Sequence, residues 1–384
     1  MIFTVFAALS LLVWLYLIFL HGDFWLSGPE LRPVRPTSFP DVDIIVPARD
    51  EAQTIGPVIA SLVSQDYPGS FHVTLVDDNS TDGTAAKAGG FVNLTILSGA
   101  PKAAGWSGKL WALSQGVAAT SAPIILFTDA DITHDPRHLS TLVARLLTPK
   151  ADMVSEMVRL NCVSWPERFL IPAFVYFFQM LYPFALVNNP RAKVAAAAGG
   201  TVLIRREALE RLGGLEKIKG ALIDDVSLAV EAKKYGAIYL GHSGLATSIR
   251  PYPQVRDIWD MITRTAFTQL NYSGVVLAGT IAGLALVWLA APLALLFGGW
   301  WGLVPGLLTY GLFAGSFTPT LRRYGQSPYM GLALPLIALF YMAATIASAV
   351  HYWRGTGARW KSRAYAPDAA ATATRETKSP GESA

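Results

Sequence analysis

Apolar positions are spread along this chain in different patterns, and each pattern predicts a different kind of element. Ile2 to Leu20 reads IFTVFAALSLLVWLYLIFL without a charged side chain, long enough as a helix to cross a hydrocarbon core of ~30 Å. Residues 1–21 therefore read as a transmembrane anchor. That reading is preferred to a cleaved signal peptide because no Lys or Arg precedes the run and His-Gly-Asp-Phe-Trp, not a small-x-small site, comes after it. Over 22–40, Pro29, Pro33, Pro36 and Pro40 make a stiff, extended linker. Arg32 and Arg35 fall within reach of the positive-inside rule and place the next segment of chain in the cytoplasm.

From 41 to 272 short β-rich runs alternate with helical patterns. The runs are DIIVPA (Asp43–Ala48), HVTLVDD (His72–Asp78), LTIL (Leu94–Leu97) and IILFTDAD (Ile124–Asp131), each bounded by Pro, Gly, Asp or Asn. Helical stretches are expected near Thr54–Gln65, Gly83–Lys87 and Lys109–Ala119. The alternation predicts an α/β fold, a mostly parallel sheet with helices on both faces. Such sheets bind ligands beyond the carboxyl ends of their strands.

Two further stretches depart from that pattern. Trp165–Val187, rich in aromatic and aliphatic residues but broken by Pro166, Pro172 and Pro183, suits a buried helix, an interfacial helix or a span. The interfacial reading, an element of 165–187 lying under the α/β domain, is taken because aromatic rings favour the headgroup level. Within 273–350, Val275–Phe297, Leu303–Thr318 and Met330–Val350 are three candidate spans. Three crossings from a cytoplasmic domain leave the tail outside, yet Arg354, Arg359, Lys361 and Arg363 favour the inside. Either one segment re-enters or does not cross, or the 165–187 stretch crosses. The tail 351–384 is basic and then, over 366–384, of disordered composition.

Composition narrows the classes. Of 384 residues 52% are hydrophobic and 15% charged, against roughly a quarter charged in an ordinary soluble domain; membrane contact is the consequence. The net charge of +4 is not gathered into a basic stripe, so nucleic acid is not an expected partner. The single cysteine, Cys162, permits neither an internal disulfide nor a thiolate metal site.

Three acidic constellations carry candidate chemistry. Asp77-Asp78-Asn79-Ser80-Thr81-Asp82-Gly83-Thr84 lies between a strand and a helix; its carboxylates can accept the N–H of a base or the hydroxyls of a ribose, while one helix cap accounts for only one of them. In Phe127-Thr128-Asp129-Ala130-Asp131, alternation in a strand puts Asp129 and Asp131 on one side, where they can share Mg²⁺ or Mn²⁺ with the phosphates of a nucleotide diphosphate. Ile223-Asp224-Asp225 opens a helix predicted to bury Val226, Ala229 and Val230, and a carboxylate fixed there can accept a hydroxyl proton. His134 and His138 lie four apart, but without an H-E-x-x-H pattern they read as a helix-start and a surface histidine. His242 is read equally plainly. Gly199–Gly200 permits close approach of sugar or lipid, or simply a tight turn into a strand.

In their order these motifs resemble the processive and lipid-directed members of glycosyltransferase family two, which have the GT-A fold, from Ile44 to about Arg264. VPARDEA (Val46–Ala52) resembles the opening nucleotide loop, VDDNSTDGT the uridine turn and GWSGKLWAL (Gly105–Leu113) the loop before the second half of the nucleotide site. FTDAD resembles the metal motif, AGGTVLIRREALERLGG (Ala198–Gly214) the acceptor-side loop and helix, and IDD the base motif. With the N-terminal span and WKSRAY (Trp360–Tyr365), the sequence is most similar to hopanoid-biosynthesis-associated glycosyltransferases and more distantly to ceramide glucosyltransferases.

The resemblance implies a GT-A domain set between transmembrane helices and an inverting transfer from a UDP-sugar to a membrane lipid. Pro47, Arg49, Glu51, Asp77, Asp78, Lys109 and Asp129 would hold the donor, Lys109 neutralising its diphosphate. Asp131, with Asp129, would bind Mg²⁺ or Mn²⁺, Asp225 beside Asp224 would be the general base, and Gly199, Gly200 and Thr201 would face the acceptor. The family's Gln-x-x-Arg-Trp is missing; Arg264, in Trp259-Asp260-Met261-Ile262-Thr263-Arg264, is either its diphosphate-binding substitute or a positive-inside anchor. A multi-pass protein of a bacterial-type inner membrane is expected, its catalytic domain facing the cytoplasm. The alternatives are a transferase acting on polyprenyl phosphate or a sphingolipid-like alcohol, and a non-catalytic nucleotide-sugar-binding scaffold. A transporter is disfavoured by the scarcity of ionisable residues in the spans.

Overall fold

The computed structural model describes residues 1–147, 151–356, 359–360 and 363–364; Lys361 and the tail 366–384 lie outside them. In chain order the elements are α1 (Ile2–Phe19), β1 (Glu30–Leu31), β2 (Val42–Ala48), α2 (Ile55–Val63), β3 (Phe71–Asp77), α3 (Thr84–Lys87), β4 (Leu94–Ser98), α4 (Gly108–Ala118), β5 (Ile124–Thr128) and β6 (Ile132–His134). Then come α5 (His138–Leu147), β7 (Met153–Arg159), α6 (Trp165–Leu181), α7 (Phe184–Asn188), β8 (Thr201–Arg205), α8 (Arg206–Arg211), α9 (Asp224–Lys233) and β9 (Ile238–Ser248). The chain ends with α10 (Val255–Thr263), α11 (Ala266–Gln269), α12 (Gly274–Phe297), α13 (Gly299–Arg323), α14 (Leu334–Trp353) and the hairpin β10 (Arg359–Trp360) and β11 (Arg363–Ala364).

These elements group into two compact units. A sheet unit comprises Pro29–Asn161 and Leu186–Pro251 with the β10–β11 hairpin, and a helical unit comprises Met1–Gly28, Cys162–Ala185 and Tyr252–Ala358.

In the sheet unit nine strands form one sheet in the order β1-β9-β7-β8-β5-β2-β3-β4, with β6 added along β9. The four strands expected from the sequence are present as β2 to β5. They run parallel, Val42↔Phe71 to Ala48↔Asp77 on one side of β2 and Val42↔Ile124 to Ile45↔Phe127 on the other. Every residue of β2 is buried, as expected of a strand covered on both faces; its one charged residue, Asp43, accepts from the N–H of Ala122 (2.7 Å). Close packing over it depends on Gly116 in α4, where a Cβ would come to 2.4 Å from Ile45. β8 departs from the parallel pattern, running antiparallel to both β5 and β7. The proline-rich stretch 29–40 is not a free linker throughout: Glu30 and Leu31 pair in parallel with His242 and Ser243.

In the helical unit α1 runs antiparallel to α12. Thr4 Oγ1 donates to the carbonyl of Gly298 (3.4 Å) and Trp14 Nε1 to that of Val287 (3.0 Å). α13 turns back along α12 at Gly298–Gly299, where a Cβ on Gly302 would stand 2.7 Å from the Ala294 carbonyl. By length and composition, Ile2–Phe19, Gly274–Phe297 and Pro328–Trp353 are, among the described residues, the helices able to cross a membrane.

The turn at 328–333 climbs back along the middle of α13, with Tyr310 Oη donating to the Leu332 carbonyl (2.5 Å). The end of α14 then returns to the start of α12: Trp353 lies 3.9 Å from where a Cβ on Gly274 would be, and the rings of Tyr352 and Tyr272 stack at 4.5 Å. Three full traverses would leave these ends at opposite sides of the unit, so one of the three segments turns back.

The stretch 165–187, expected as one interfacial element, is divided between the units at Ala185. Its helix α6 starts with a capping box from Ser164 and Glu167 and is largely buried within the helical unit. Tyr176 is fully enclosed, its ring 4.9 Å from Phe317 and its hydroxyl 2.6 Å from Ser316 Oγ. Aromatic composition fits such a packed helix as well as it fits a headgroup layer.

Candidate active site

The loops after β2 and β3 are knitted into one surface at the carboxyl edge of the sheet. Asp50, at φ 51°, donates its N–H to Ser80 Oγ (2.9 Å) and accepts from the N–H of Thr81 (2.8 Å). The N–H of Glu51 donates to Thr84 Oγ1 (2.8 Å) and that of Ala52 to Asp82 (2.9 Å). Arg49 Nη1 donates to the carbonyl of Asp78 (2.5 Å) and lies 3.6 Å from its carboxylate, which is fully buried. Asp77 accepts from the N–H of Ser80 (3.0 Å). Asp82 accepts from the N–H of Thr84 (3.0 Å), at the start of α3, whose N-cap is Gly83.

β5 ends at Thr128, and the next residues deliver the second acidic pair. Lys109, in the first turn of α4 behind the Ser107 cap, places Nζ 2.9 Å from Asp129 and 3.1 Å from Asp224. Burial alone would push this lysine's pKa down, but Asp129 and Asp224 outweigh it and raise the pKa, keeping the ammonium charged. Burial and the nearby Asp131 push Asp129 up, against the pull of Lys109. Asp225 is raised to about 7, by burial first and then by Asp224. Its Oδ1 accepts from the N–H of Val226 (2.8 Å).

A cleft of about 360 Å³, its open mouth included, is lined by Pro47, Lys109, Asp129, Gly199, Asp224 and Asp225 among others. Gly199 is needed where it is: a Cβ there would stand 3.0 Å from Asp225 Oδ2. Gly200 has a different task, its carbonyl accepting from Thr128 Oγ1 (3.0 Å) and from the N–H of Asp129 (3.3 Å). Thr201 is fully buried in register with Thr128. Helix α9 buries Leu228, Ala229 and Ala232, while Val230, expected inside, is 41% exposed. Arg264 lies just past α10 in the helical unit, outside the group of residues gathered in the sheet unit.

Arg250 is the participant that the sequence did not reveal. Its Nε lies 2.5 Å from Asp131 and its Nη2 2.6 Å from Glu51. The cause is the antiparallel β6–β9 pairing, continued by Ile249 N–H donating to the Asp131 carbonyl (2.8 Å). A basic residue just past a strand, 119 positions from its partner, leaves no local signal. The histidine readings also change. His134 closes strand β6 and His138 opens α5, both buried, in a chain from Thr128 Oγ1 to His134 Nε2 (3.1 Å), between the two Nδ1 atoms (3.0 Å), and from His138 to Glu156. His242 is buried as well.

Among the described residues no three His, Cys, Asp or Glu side chains converge as a self-sufficient metal site. Asp129 and Asp131 offer hard oxygens from two carboxylates, a donor set that fits Mg²⁺ or Mn²⁺ completing its shell with phosphate and water, and does not fit zinc.

Residues 43–213 match the family model described as Glycosyl transferase family 2. The chain is 27% identical over 252 residues to a beta-monoglucosyldiacylglycerol synthase of Nostoc sp., covering 59% of this chain and 52% of that one. It is 28% identical over 133 residues to a dodecaprenyl-phosphate galacturonate synthase of Rhizobium johnstonii, covering 32% of this chain and 39% of that one. The chain thus spans about half the length, or less, of these relatives. Among solved structures it is similar to a mannosyltransferase of Pyrobaculum calidifontis in complex with GDP-Man and Mn²⁺, with TM-score 0.54, 22% identity and coverage of 91% of this chain and 98% of that one. The chain thus carries, over residues 43–213, a stretch similar to glycosyl transferase family 2, on a mixed α/β framework of the GT-A fold.

Proposed function

We propose that the protein is an inverting glycosyltransferase that moves a sugar from a UDP-sugar to a hydroxyl of a membrane lipid, with a hopanoid alcohol as the acceptor. The observation that carries the reading is the position of Asp225, a carboxylate raised to about 7 in a cleft it shares with Lys109 and Asp129. A base of that pKa is suited to taking a proton from an alcohol near neutral pH. A polyprenyl phosphate presents an oxygen already ionised at that pH and gives such a base nothing to do, which favours the alcohol. The relatives named for glucosyldiacylglycerol and dodecaprenyl phosphate support a lipid as acceptor class.

In this reading the acceptor oxygen attacks the anomeric carbon, the bond from that carbon to the diphosphate breaks, and the hydroxyl proton passes to Asp225. Lys109 neutralises the departing diphosphate as a point charge while Asp224 and Asp129 hold its ammonium in place. Glu51, Asp77 and Asp78, the last fixed by Arg49, would hold the nucleoside, and Asp129 and Asp131 would hold the divalent cation. When bound, that cation stabilises charge on the leaving diphosphate. The protein is multi-pass in a bacterial-type inner membrane with its catalytic unit on the cytoplasmic side, a reading supported by Arg32 and Arg35 after α1 and by Arg354 after α14.

Incubating detergent-purified protein with UDP-glucose or UDP-N-acetylglucosamine, with and without a hopanoid alcohol, tests the proposal. Acceptor-dependent UDP release with a glycosylated lipid product is expected. UDP release only with polyprenyl phosphate would replace the acceptor, and UDP binding without turnover on any lipid would favour a scaffold.

A further inference from the structure

Lys109 and Arg250 each cross-link two acidic side chains, and of the two only Lys109 has been given a task. Lys109 joins Asp129 to Asp224. Arg250 joins Glu51, on the nucleotide loop, to Asp131, on the metal motif. Its guanidinium is permanently charged, and its Nε, 2.5 Å from Asp131 Oδ2, holds a carboxylate oxygen that a divalent cation at this motif would use. A guanidinium and a dication cannot both sit against one carboxylate without strong mutual repulsion.

We propose that Arg250 is an internal stand-in for the divalent cation: it holds Asp131 while the donor is absent and yields it when cation and nucleotide diphosphate enter together. The inference rests on the reading of Asp131 as a cation ligand. Arg250 is placed for the exchange because it grips two carboxylates through different nitrogens. Nη2 can stay on Glu51 (2.6 Å) while Nε leaves Asp131, and a freed guanidinium edge is matched to phosphate oxygens, which it binds in forked geometry. Glu51 and Asp131 are both mostly enclosed, with 11% and 13% of their side chains exposed, so neither is neutralised by water alone when Arg250 moves. Arg250 is therefore a positioning residue that ties cation binding to donor binding and disfavours a cation-loaded, donor-free state.

Direct titration of Mn²⁺ into the full-length protein in detergent, monitored by electron paramagnetic resonance with and without UDP, tests this without turnover. The wild type is expected to bind Mn²⁺ weakly alone and at least about tenfold more tightly with UDP, within the usual range of coupling between two ligands. Arg250→Gln is expected to bind Mn²⁺ alone about tenfold more tightly than wild type, and to show a smaller effect of UDP. Arg250→Lys, which keeps the charge, should stay close to wild type without UDP and serves as the folding control. Equal Mn²⁺ affinity of wild type with and without UDP, or Arg250→Gln binding Mn²⁺ alone no better than wild type, would overturn the proposal. If UDP binds but no Mn²⁺ binds to any of the three proteins, both this inference and the metal role of Asp131 fall, while the transferase reading stands or falls on lipid glycosylation.

Discussion

Gly199 and Asp225 are in contact such that a Cβ on the glycine would stand 3.0 Å from the carboxylate Oδ2. A side chain at Gly199 would require the Asp225 carboxylate to shift. Gly199→Ala is expected to displace the Asp225 carboxylate and lower kcat roughly 10- to 100-fold, since small misplacements of a catalytic group cost that much. UDP affinity should be nearly unchanged. Steady-state kinetics beside equilibrium UDP binding separate the two effects, and an equal loss in both would show that the glycine serves the nucleotide.

The acidity of Asp225 sets a pH dependence with a definite sign. Only the carboxylate form accepts a proton, so with a pKa raised to about 7 by burial and Asp224, kcat/KM should rise between pH 6 and 8 and level off above. The stability effect runs the other way. A carboxyl whose pKa is higher folded than unfolded favours the folded state at low pH, and that contribution is lost as pH rises from the ordinary value of 3.8 through about 7. Asp225→Asn should therefore raise Tm relative to wild type more at pH 8 than at pH 5. Thermal unfolding at both pH values checks it.

The buried chain His134–His138–Glu156 is tied through Thr128 to the segment that carries Asp129 and Asp131. Burial and His138 push His134 well below its ordinary 6.5, so it stays neutral in the folded state. Stability from this group is present above about 6.5 and is lost as pH falls below that, because the unfolded chain takes up the proton first. Glu156→Ala leaves His138 buried without its partner and is expected to cost about 3 kcal/mol or more. Denaturant unfolding measures this, and a loss below about 1 kcal/mol would mean that the chain contributes little.

Trp353 beside Gly274 puts the end of α14 and the start of α12 at the same end of the helical unit. Single cysteines at Asn271 and Thr356, in a Cys162→Ser background, should react with a membrane-impermeant maleimide from the same side of sealed vesicles. A cysteine at Gly299, at the far turn between α12 and α13, should react from the other. Labelling of 271 and 356 from opposite sides would contradict the packing.

Much of this arrangement is legible from local pattern. β2 to β5 lie within two residues of the expected runs at their starts because β-branched stretches bounded by Gly, Pro and Asp have few other options; β5 ends at Thr128, short of the expected Asp131, so strand alternation does not set the sides on which Asp129 and Asp131 lie. What local pattern does not carry is pairing between distant segments. The antiparallel entry of β8 and the β6–β9 ladder decide where Arg250 falls, and no residue near 250 announces Asp131. A surface position for His138 is the natural expectation because nothing local distinguishes an exposed histidine at a helix start from one paired with a buried glutamate eighteen positions on. The interfacial reading of 165–187 misses the burial of α6 for a related reason: an aromatic helix is compatible with either environment until its neighbours are known.

In the proposed reaction Asp225 removes the acceptor proton during a cation-dependent transfer from a nucleotide sugar. The most direct measurement is lipid-dependent UDP release by wild type and Asp225→Asn under saturating UDP-sugar and Mn²⁺, with UDP affinity measured for both. Turnover is expected to fall about 10²- to 10⁴-fold in the variant, with UDP affinity retained and with EDTA abolishing wild-type turnover. An Asp225→Asn protein that glycosylates the lipid at the wild-type rate would contradict the claim.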